Sequence, residues 1–353
     1  MKIGNVDIIN GGKPYFIADI AANHDGDLQR AFMLIEKAKE AGADAAKFQN
    51  FQASTIVSKK GFESMGAQLS HQASWKKSVY EVYEDASLNE EWTSKLKEKC
   101  DECEIEYMTT PYNLPVVDYV DPYVNAYKIG SGDITWFEML EKVAKKNKVT
   151  MLATGASNIE EVERAVNYIK QFNNDIILMQ CNTNYTASKE NYKYINLNVL
   201  STYKRMFPDC ILGLSDHTFG HATVLGALTL GAVVFEKHFT DDNDRVGPDH
   251  KFSMNPKTWK EMVYEANILY EALGDGVKKL EENEKESVIV QRRSLFLNKS
   301  LKKGDILKRE DFIALRPIMP DGIEPWRLEE YIGKKLNTDK AKDTYLKVED
   351  IDE

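Results

Sequence analysis

The chain has 353 residues, a hydrophobic content of 42%, four cysteines and a formal net charge of -10. That length exceeds one average domain, and the acidic balance argues against nucleic acid as a partner, because phosphate neutralisation needs clustered Lys and Arg. The cysteines are too few for a disulfide framework, and no apolar run suits a signal core or a membrane span, so the expected compartment is the cytoplasm.

In chain order, residues 15–20 predict a strand and residues 28–41 an amphipathic helix ending at Gly42. Residues 45–48 predict a second strand. A long irregular stretch then runs from Gln49 to about Lys77. A stretch of that length is often functional, such as a lid over a site. Residues 89–103 predict a helix, 106–109 a strand, 113–119 a short helix, 126–129 a strand and 136–146 a helix. Strands at 150–153 and 176–180 flank a helix at 159–171, and another helix falls around 197–206. Cys100 and Cys103 form a C-x-x-C inside a charged helical stretch with no second pair, which argues against zinc or redox chemistry.

Two apolar runs follow, each closing on a histidine. Cys210-Ile-Leu-Gly-Leu-Ser leads to Asp216 and His217, and Ala232-Val-Val-Phe-Glu leads to Lys237 and His238. The stretch from Gly220 to Gly231 between them has helical character, and a helix over 256–273 closes this part. The strand–helix rhythm implies parallel strands, and about 270 residues suits a closed (β/α)8 TIM barrel, an α/β fold. An open doubly wound sheet is the alternative, but it would show a Gly-rich loop after its first strand. Here that strand runs into Ala21-Ala-Asn-His-Asp-Gly. The expected organisation is a barrel over 1–277, a charged linker over 278–291 and a small domain of short strands and turns over 292–353. A domain that small is marginal alone, so it is expected to pack on the barrel or on a partner subunit.

Polar residues at the carboxyl ends of barrel strands mark a site. In chain order they are Asp19, Asn23 and His24; Lys47 and Gln49; Thr109 and Thr110; Lys128, Ser131 and Asp133; and Thr154. The last strands add Thr183, Tyr185, Asp216, His217, Glu236 and His238. Lys47 and Lys128 follow apolar runs, and a buried ammonium is costly unless it meets an anion. Two of them beside hydroxyls suit a small polyanion such as a phosphorylated carboxylate. The plainer alternative is a pair of structural salt bridges with Asp19 and Asp133. His217 and His238, at the same end of neighbouring strands, suit a divalent metal; the plainer alternative is a pair of core histidines. His24 sits in a turn and reads as its cap, and His250 lies in a Gly/Pro-rich loop able to reach the mouth.

Several segments together resemble the sialic acid synthase family. They are Ile17-Ala-Asp-Ile-Ala-Ala-Asn-His-Asp-Gly, Ala41-Gly-Ala-Asp-Ala-Ala-Lys-Phe-Gln, Thr109-Thr-Pro-Tyr, Tyr127-Lys-Ile-Gly-Ser-Gly-Asp and Ala153-Thr-Gly. Gly213-Leu-Ser-Asp-His-Thr, Glu236-Lys-His-Phe-Thr and Gly247-Pro-Asp-His-Lys-Phe-Ser continue the match. Arg293-Ser-Leu, Lys302-Lys-Gly-Asp and Leu315-Arg-Pro resemble the family's antifreeze-like (SAF) domain. The resemblance implies a TIM barrel followed by that domain, in a domain-swapped homodimer. It implies condensation of phosphoenolpyruvate with an N-acyl amino sugar such as N-acetylmannosamine. It also implies a divalent metal on His217 and His238, usually manganese, with magnesium or cobalt as alternatives.

By the same resemblance, Lys47, Thr110, Lys128 and Ser131 match phosphoenolpyruvate contacts, with Gln49, Thr183 and Tyr185 in the same region. Asp249 matches a sugar contact, and Arg316 an arginine brought by the second subunit. Asp19 is expected to bind the sugar and Asp133 to assist a water. The chain departs from the family pattern in having Asp rather than Glu at 19 and 133, and Ala153 where a serine often meets the phosphate. The acceptor therefore stays open between N-acetylmannosamine and the 2,4-diacetamido-trideoxyhexoses of legionaminate and pseudaminate synthases. A barrel enzyme using an aldose phosphate would need a further cluster of Arg and Lys that the barrel segments lack. A non-enzymatic carbohydrate-binding or ice-binding scaffold would leave the metal and lysine residues idle.

Overall fold

A computed structural model describes residues 1–352. The chain forms two compact units, Met1–Gly274 and the part from Asp275 onward. The first begins with a short antiparallel hairpin, β1 (Lys2–Ile3) and β2 (Val6–Asp7), which is too brief for its periodicity to be read. Eight parallel strands follow: β3 (Tyr15–Asp19), β4 (Ala45–Asn50), β5 (Glu106–Pro111), β6 (Ala126–Ile129), β7 (Val149–Ala153), β8 (Ile176–Cys181), β9 (Ile211–Asp216) and β10 (Ala232–His238). They close into a barrel in which β10 pairs with β3, so the expected (β/α)8 architecture is present and the open sheet is excluded.

The strands read as near-continuous apolar runs because both of their faces are covered. One face meets the helices. Ala18, Phe48, Leu178 and Phe235 share a cluster with Leu34, Leu140, Val166 and Trp259 from the outer helices. The helix Leu28–Glu40 starts where the Asp27 side chain accepts the backbone N–H groups of Gln29 and Arg30, donors left unpaired at a helix start.

The other face fills the barrel. Alternate residues point inward, so each strand contributes a short column. At the amino-terminal end these are Tyr15 and Ile17, Ala45, Met108, Ala126, Val149 and Met151, Ile177 and Met179, Ile211 and Val234. Ile3 and Ile8, from the hairpin and the residue just after it, join the same cluster and close the floor. Gly213 is part of this fit: a Cβ there would lie 2.9 Å from the Val234 carbonyl oxygen and 3.0 Å from Met179 Cγ.

The stretch over 49–77, expected to be irregular, holds short helices at Ala53–Ile56 and Lys59–Ser64 and a 3-10 turn at Ser70–Ser74. The helix Val79–Ala86 follows, started by a Ser78–Glu81 capping box. Each piece is too short to show a period against its charged neighbours.

The second unit has its own core, including Leu295, Leu297, Leu307, Phe312, Ile323, Leu336 and Leu346. Its strands β11 (Ser294–Leu297) and β12 (Phe312–Leu315) pair antiparallel. Residues 278–291, expected as a linker, contain the helix Lys285–Gln291, and the Ile318 N–H bonds to the Ile289 carbonyl. Among the described residues, no helix is long and apolar enough to cross a membrane.

Candidate active site

The same alternation decides which strand-end residues reach the mouth. Two steps on from the apolar floor, the inward positions become Asp19, Lys47 and Gln49, Thr110, Lys128, Cys181, Ser215, Glu236 and His238, all lining one cavity of about 420 Å³. Loops add Ser131, Asp133, Thr183, Tyr185, His217 and Asp249. Thus every barrel residue singled out for substrate or metal lines the same space. Arg316 does not belong to the barrel; it is an exposed residue that follows β12 in the second unit.

Four residues expected at the mouth do not line the cavity. Asn23 Nδ2 donates to the Phe239 carbonyl at 2.9 Å and to Ser253 Oγ at 3.0 Å. The Thr109 hydroxyl donates to Asn50 Oδ1 at 2.5 Å and lies 3.1 Å from the Phe48 carbonyl oxygen. The Thr154 hydroxyl donates to the Met179 carbonyl at 2.9 Å. Asp216 accepts from Thr223 at 2.6 Å and from Lys237, tying the ends of β9 and β10 together on the outside. His24 caps its turn, as expected, by accepting the Gly26 N–H on Nδ1 at 3.1 Å.

The buried lysines find carboxylates. Lys47 Nζ donates to Asp19 Oδ2 at 2.6 Å, and Lys128 Nζ donates to Glu236 Oε1 at 2.6 Å. The plainer alternative of two salt bridges thus holds for Lys47 with Asp19 and is corrected for Lys128, which pairs with Glu236 rather than Asp133. Glu236 also lies 3.9 Å from Lys47 and accepts from Ser215 at 3.1 Å. Burial raises the Glu236 carboxyl, but Lys128 and Lys47 outweigh it and hold it at about 2. Burial lowers the Lys47 ammonium, but Asp19 and Glu236 outweigh it and hold it above its ordinary value. Burial pushes the Asp19 carboxyl upward against the pull of Lys47, whose charge it shares with Glu236. Glu236 is among the strand-end residues of the sequence but carries no assigned role there, and Ser215 is not singled out. Their signal was in the sequence: each stands two residues before a histidine and so shares its face.

His217 and His238 have ring centroids 5.3 Å apart. His217 Nδ1 lies 2.9 Å from the Asn182 carbonyl oxygen, which can only accept. Nδ1 therefore carries the proton, and the Nε2 lone pair is free. Burial lowers both imidazoles to about 3, with His238 and Lys47 respectively as the next cause, so both are neutral at ordinary pH. His238 Nδ1 is buried without a hydrogen-bond partner, 3.8 Å from Asp249 Oδ2. Glu236 Oε2 is likewise unpartnered.

These features fit a metal. Two neutral imidazoles offer lone pairs, and a substrate-binding site keeps further positions open to water or substrate. Among the described residues, no three His, Cys, Asp or Glu side chains are grouped as a closed metal-binding set. Charge gives a second argument: Lys47 and Lys128 are already balanced by Asp19 and Glu236. A phosphorylated carboxylate would make the site strongly negative, and a divalent cation at the histidines would offset that charge.

Two carboxyls remain poised. Burial raises Asp133 to about 6, and burial together with Asp19 raises Asp249 to about 7. Beside Asp133, Ser131 Oγ accepts the Gly155 N–H at 2.9 Å. A Cβ on Gly155 would lie 2.5 Å from Thr183 Cγ2, so the loops meet there only because residue 155 has no side chain. The Tyr185 ring packs edge-on against His217 with centroids 4.3 Å apart.

The segment after β4 provides residues that the sequence did not single out: Phe51, Ile56, Trp75, Val82 and Tyr83 all line the cavity. A larger outer chamber of about 1090 Å³ shares Ala22, Trp75, Val82, Tyr185 and Pro248 with it and extends to Asp25, Lys76, Arg245, Val246, Lys251 and Phe252.

The chain matches the NeuB family over residues 34–278 and the SAF domain over residues 292–352. It is 35% identical to N,N'-diacetyllegionaminic acid synthase of Legionella pneumophila, over 98% of each chain. It is 34% identical to the enzyme of that name from Campylobacter jejuni, over 95% of this chain and 99% of the other. Among solved structures, it superposes on N-acetylneuraminic acid synthetase from Leptospira borgpetersenii with a TM-score of 0.71 and 27% identity, covering 82% of this chain and 94% of that one.

Proposed function

The chain belongs to the NeuB family, and from that premise we propose that it condenses phosphoenolpyruvate with the open-chain form of an N-acyl amino sugar, releasing phosphate. Family membership makes it an enzyme, a phosphoenolpyruvate-dependent nonulosonic acid synthase with a C-terminal SAF domain. The observation that carries the reading is the meeting of two histidines, two paired lysines and two raised carboxyls in one cavity.

Lys47 and Lys128 hold the carboxylate and phosphate of phosphoenolpyruvate, with Thr110, Ser131 and Thr183 supplying hydroxyls and Gln49 its amide. Because Asp19 and Glu236 fix the two ammonium groups, the anion meets donors already in place, which sets the attack geometry. A divalent metal held by His217 and His238, with manganese proposed, would supply Lewis-acid polarisation of the sugar aldehyde. The enolpyruvyl methylene carbon attacks that aldehyde and forms the carbon–carbon bond. Water then adds at the cationic carbon, and phosphate leaves from the tetrahedral intermediate. Asp133 takes the proton from that water, its raised pKa placing it near working pH. Tyr185 walls the aldehyde side. Asp19 and Asp249 face the sugar, and Arg316 reaches the acyl group from the second subunit of a homodimer.

Between acceptors, N-acetylmannosamine is the simpler and a 2,4-diacetamido-trideoxyhexose the better supported. Two legionaminic acid synthases are 34% and 35% identical and a pseudaminic acid synthase 33%, against 30% for the N-acetylneuraminate-9-phosphate synthase of Homo sapiens. The outer chamber also offers Trp75, Val82, Val246, Pro248 and Phe252, apolar surface suited to acetyl and C6 methyl groups. Phosphate release from phosphoenolpyruvate, measured with each sugar and with and without manganese, tests the reading. Release that ignores both sugar and metal would overturn it. Full activity in an isolated monomer would remove Arg316 from the site.

A further inference from the structure

The loop from Asp241 to His250 carries Asp249 to the cavity, and three of its residues tie it to the loop after β3 or to the first turn of the helix Leu28–Glu40. Asp25 stands at the centre. Its Oδ1 accepts from His250 Nε2 at 2.8 Å. Its Oδ2 accepts from Arg245 Nε at 2.9 Å and Nη2 at 2.7 Å. Arg30 Nε lies 3.1 Å from the same oxygen, while the rest of that guanidinium grips Asp241 at 2.5 and 3.2 Å. The start, middle and end of the loop thus converge on one carboxylate, directly or through Arg30.

Other contacts complete the arrangement. His250 is fully buried, and its Nδ1 lies 2.7 Å from the Thr240 hydroxyl. Gly247 passes so close that a Cβ would sit 2.6 Å from His250 Cδ2. Asp249, next to His250, accepts the Ala22 N–H at 3.2 Å, so the two loops also meet at the site itself. Asp25 has a left-handed backbone, φ +52°, a conformation that Asp tolerates and most side chains do not.

We infer that Asp25 is a positioning residue for the acceptor sugar: it borders the outer chamber, but both of its carboxylate oxygens are engaged by His250, Arg245 and Arg30, and through them it clamps the loop that sets Asp249 and Pro248 against the acceptor. The clamp acts on the sugar side alone, because Lys128, Ser131 and Gly155 take no part in it. The inference rests on the reading of Asp249 as a sugar contact.

The test replaces Asp25 by Gly, which removes the carboxylate while suiting the left-handed backbone. Steady-state KM is measured for both substrates, and amide hydrogen exchange is followed over residues 241–251. Loss of loop precision costs on the order of tenfold in acceptor KM. Phosphoenolpyruvate KM should stay within about twofold, exchange over 241–251 should speed up, and Asp25→Asn should restore part of both losses. An unchanged acceptor KM, an equal rise for both substrates, or unchanged exchange would overturn the clamp. Arg245→Met is the second variant should Asp25→Gly fail to fold, with the same pattern at smaller amplitude. Failure of the functional reading looks different: the wild type releases no phosphate with any amino sugar, while the exchange measurement still reports on the clamp.

Discussion

The floor and the mouth of the barrel are built by the same strands with the same alternation, yet they hold opposite chemistry. On β3, Tyr15 and Ile17 belong to the apolar floor, and Asp19, two residues on, is paired to Lys47. On β6 one step separates Ala126 from Lys128, and on β10 one step separates Val234 from Glu236. The floor gains stability by removing apolar surface from water. The mouth buries charges at a cost, recovered only through close pairing. One period of a strand separates the part that holds the fold from the part to which the chemistry is assigned.

Variants at the two ends should therefore separate activity from stability. The largest expected effect is at the mouth: His217→Ala or His238→Ala should lower phosphate release by at least about a thousandfold and abolish manganese binding in a titration, with little change in melting temperature. Retained metal affinity would remove the histidines from the ligand set. Next, Lys128→Met leaves Glu236 without its close ammonium, and breaking a buried pair this way costs about 3–5 kcal/mol in denaturant unfolding, along with phosphoenolpyruvate binding. At the floor, Met151→Ala should cost about 2–5 kcal/mol of stability while the folded fraction keeps near-normal kcat/KM. A large loss of kcat/KM there would break the separation.

A smaller effect is in pH. Burial raises Asp133 to about 6, so its folded form holds a proton more tightly than the unfolded chain does. Its stabilising contribution is fullest below the ordinary carboxyl range and fades as pH rises to about 6. Activity runs the other way, because the proton-accepting form appears over the same interval. Asp133→Asn should flatten both limbs, and unchanged turnover at saturating metal would remove Asp133 from proton transfer. The smallest expected change is Ala153→Ser, which returns a hydroxyl to the cavity and should tighten phosphoenolpyruvate binding by about fivefold, the scale of one net hydrogen bond.

The barrel was legible because its strands are long apolar runs with helices of clear period between them. Both histidines and both lysines could be located because each ends such a run. Facing was legible only in part: Thr109, Thr154 and Asp216 lie one residue out of phase with the inward set and serve the wall. Partner choice was not legible, since Lys128 meets Glu236 across the barrel, 108 residues away, rather than nearby Asp133. The short helices over the mouth escaped because none is long enough to show a face. The Asp25 clamp escaped because its partner Arg245 is 220 residues away.

The hairpin that seats Ile3 beneath the barrel has a kinetic consequence. A vessel sealed below has one doorway, and here the outer chamber adjoins Tyr185 and Pro248 rather than Lys128 or Ser131. On the proposed reaction, that layout predicts that the enolpyruvyl partner binds before the sugar, and random-order addition in initial-rate kinetics would break it.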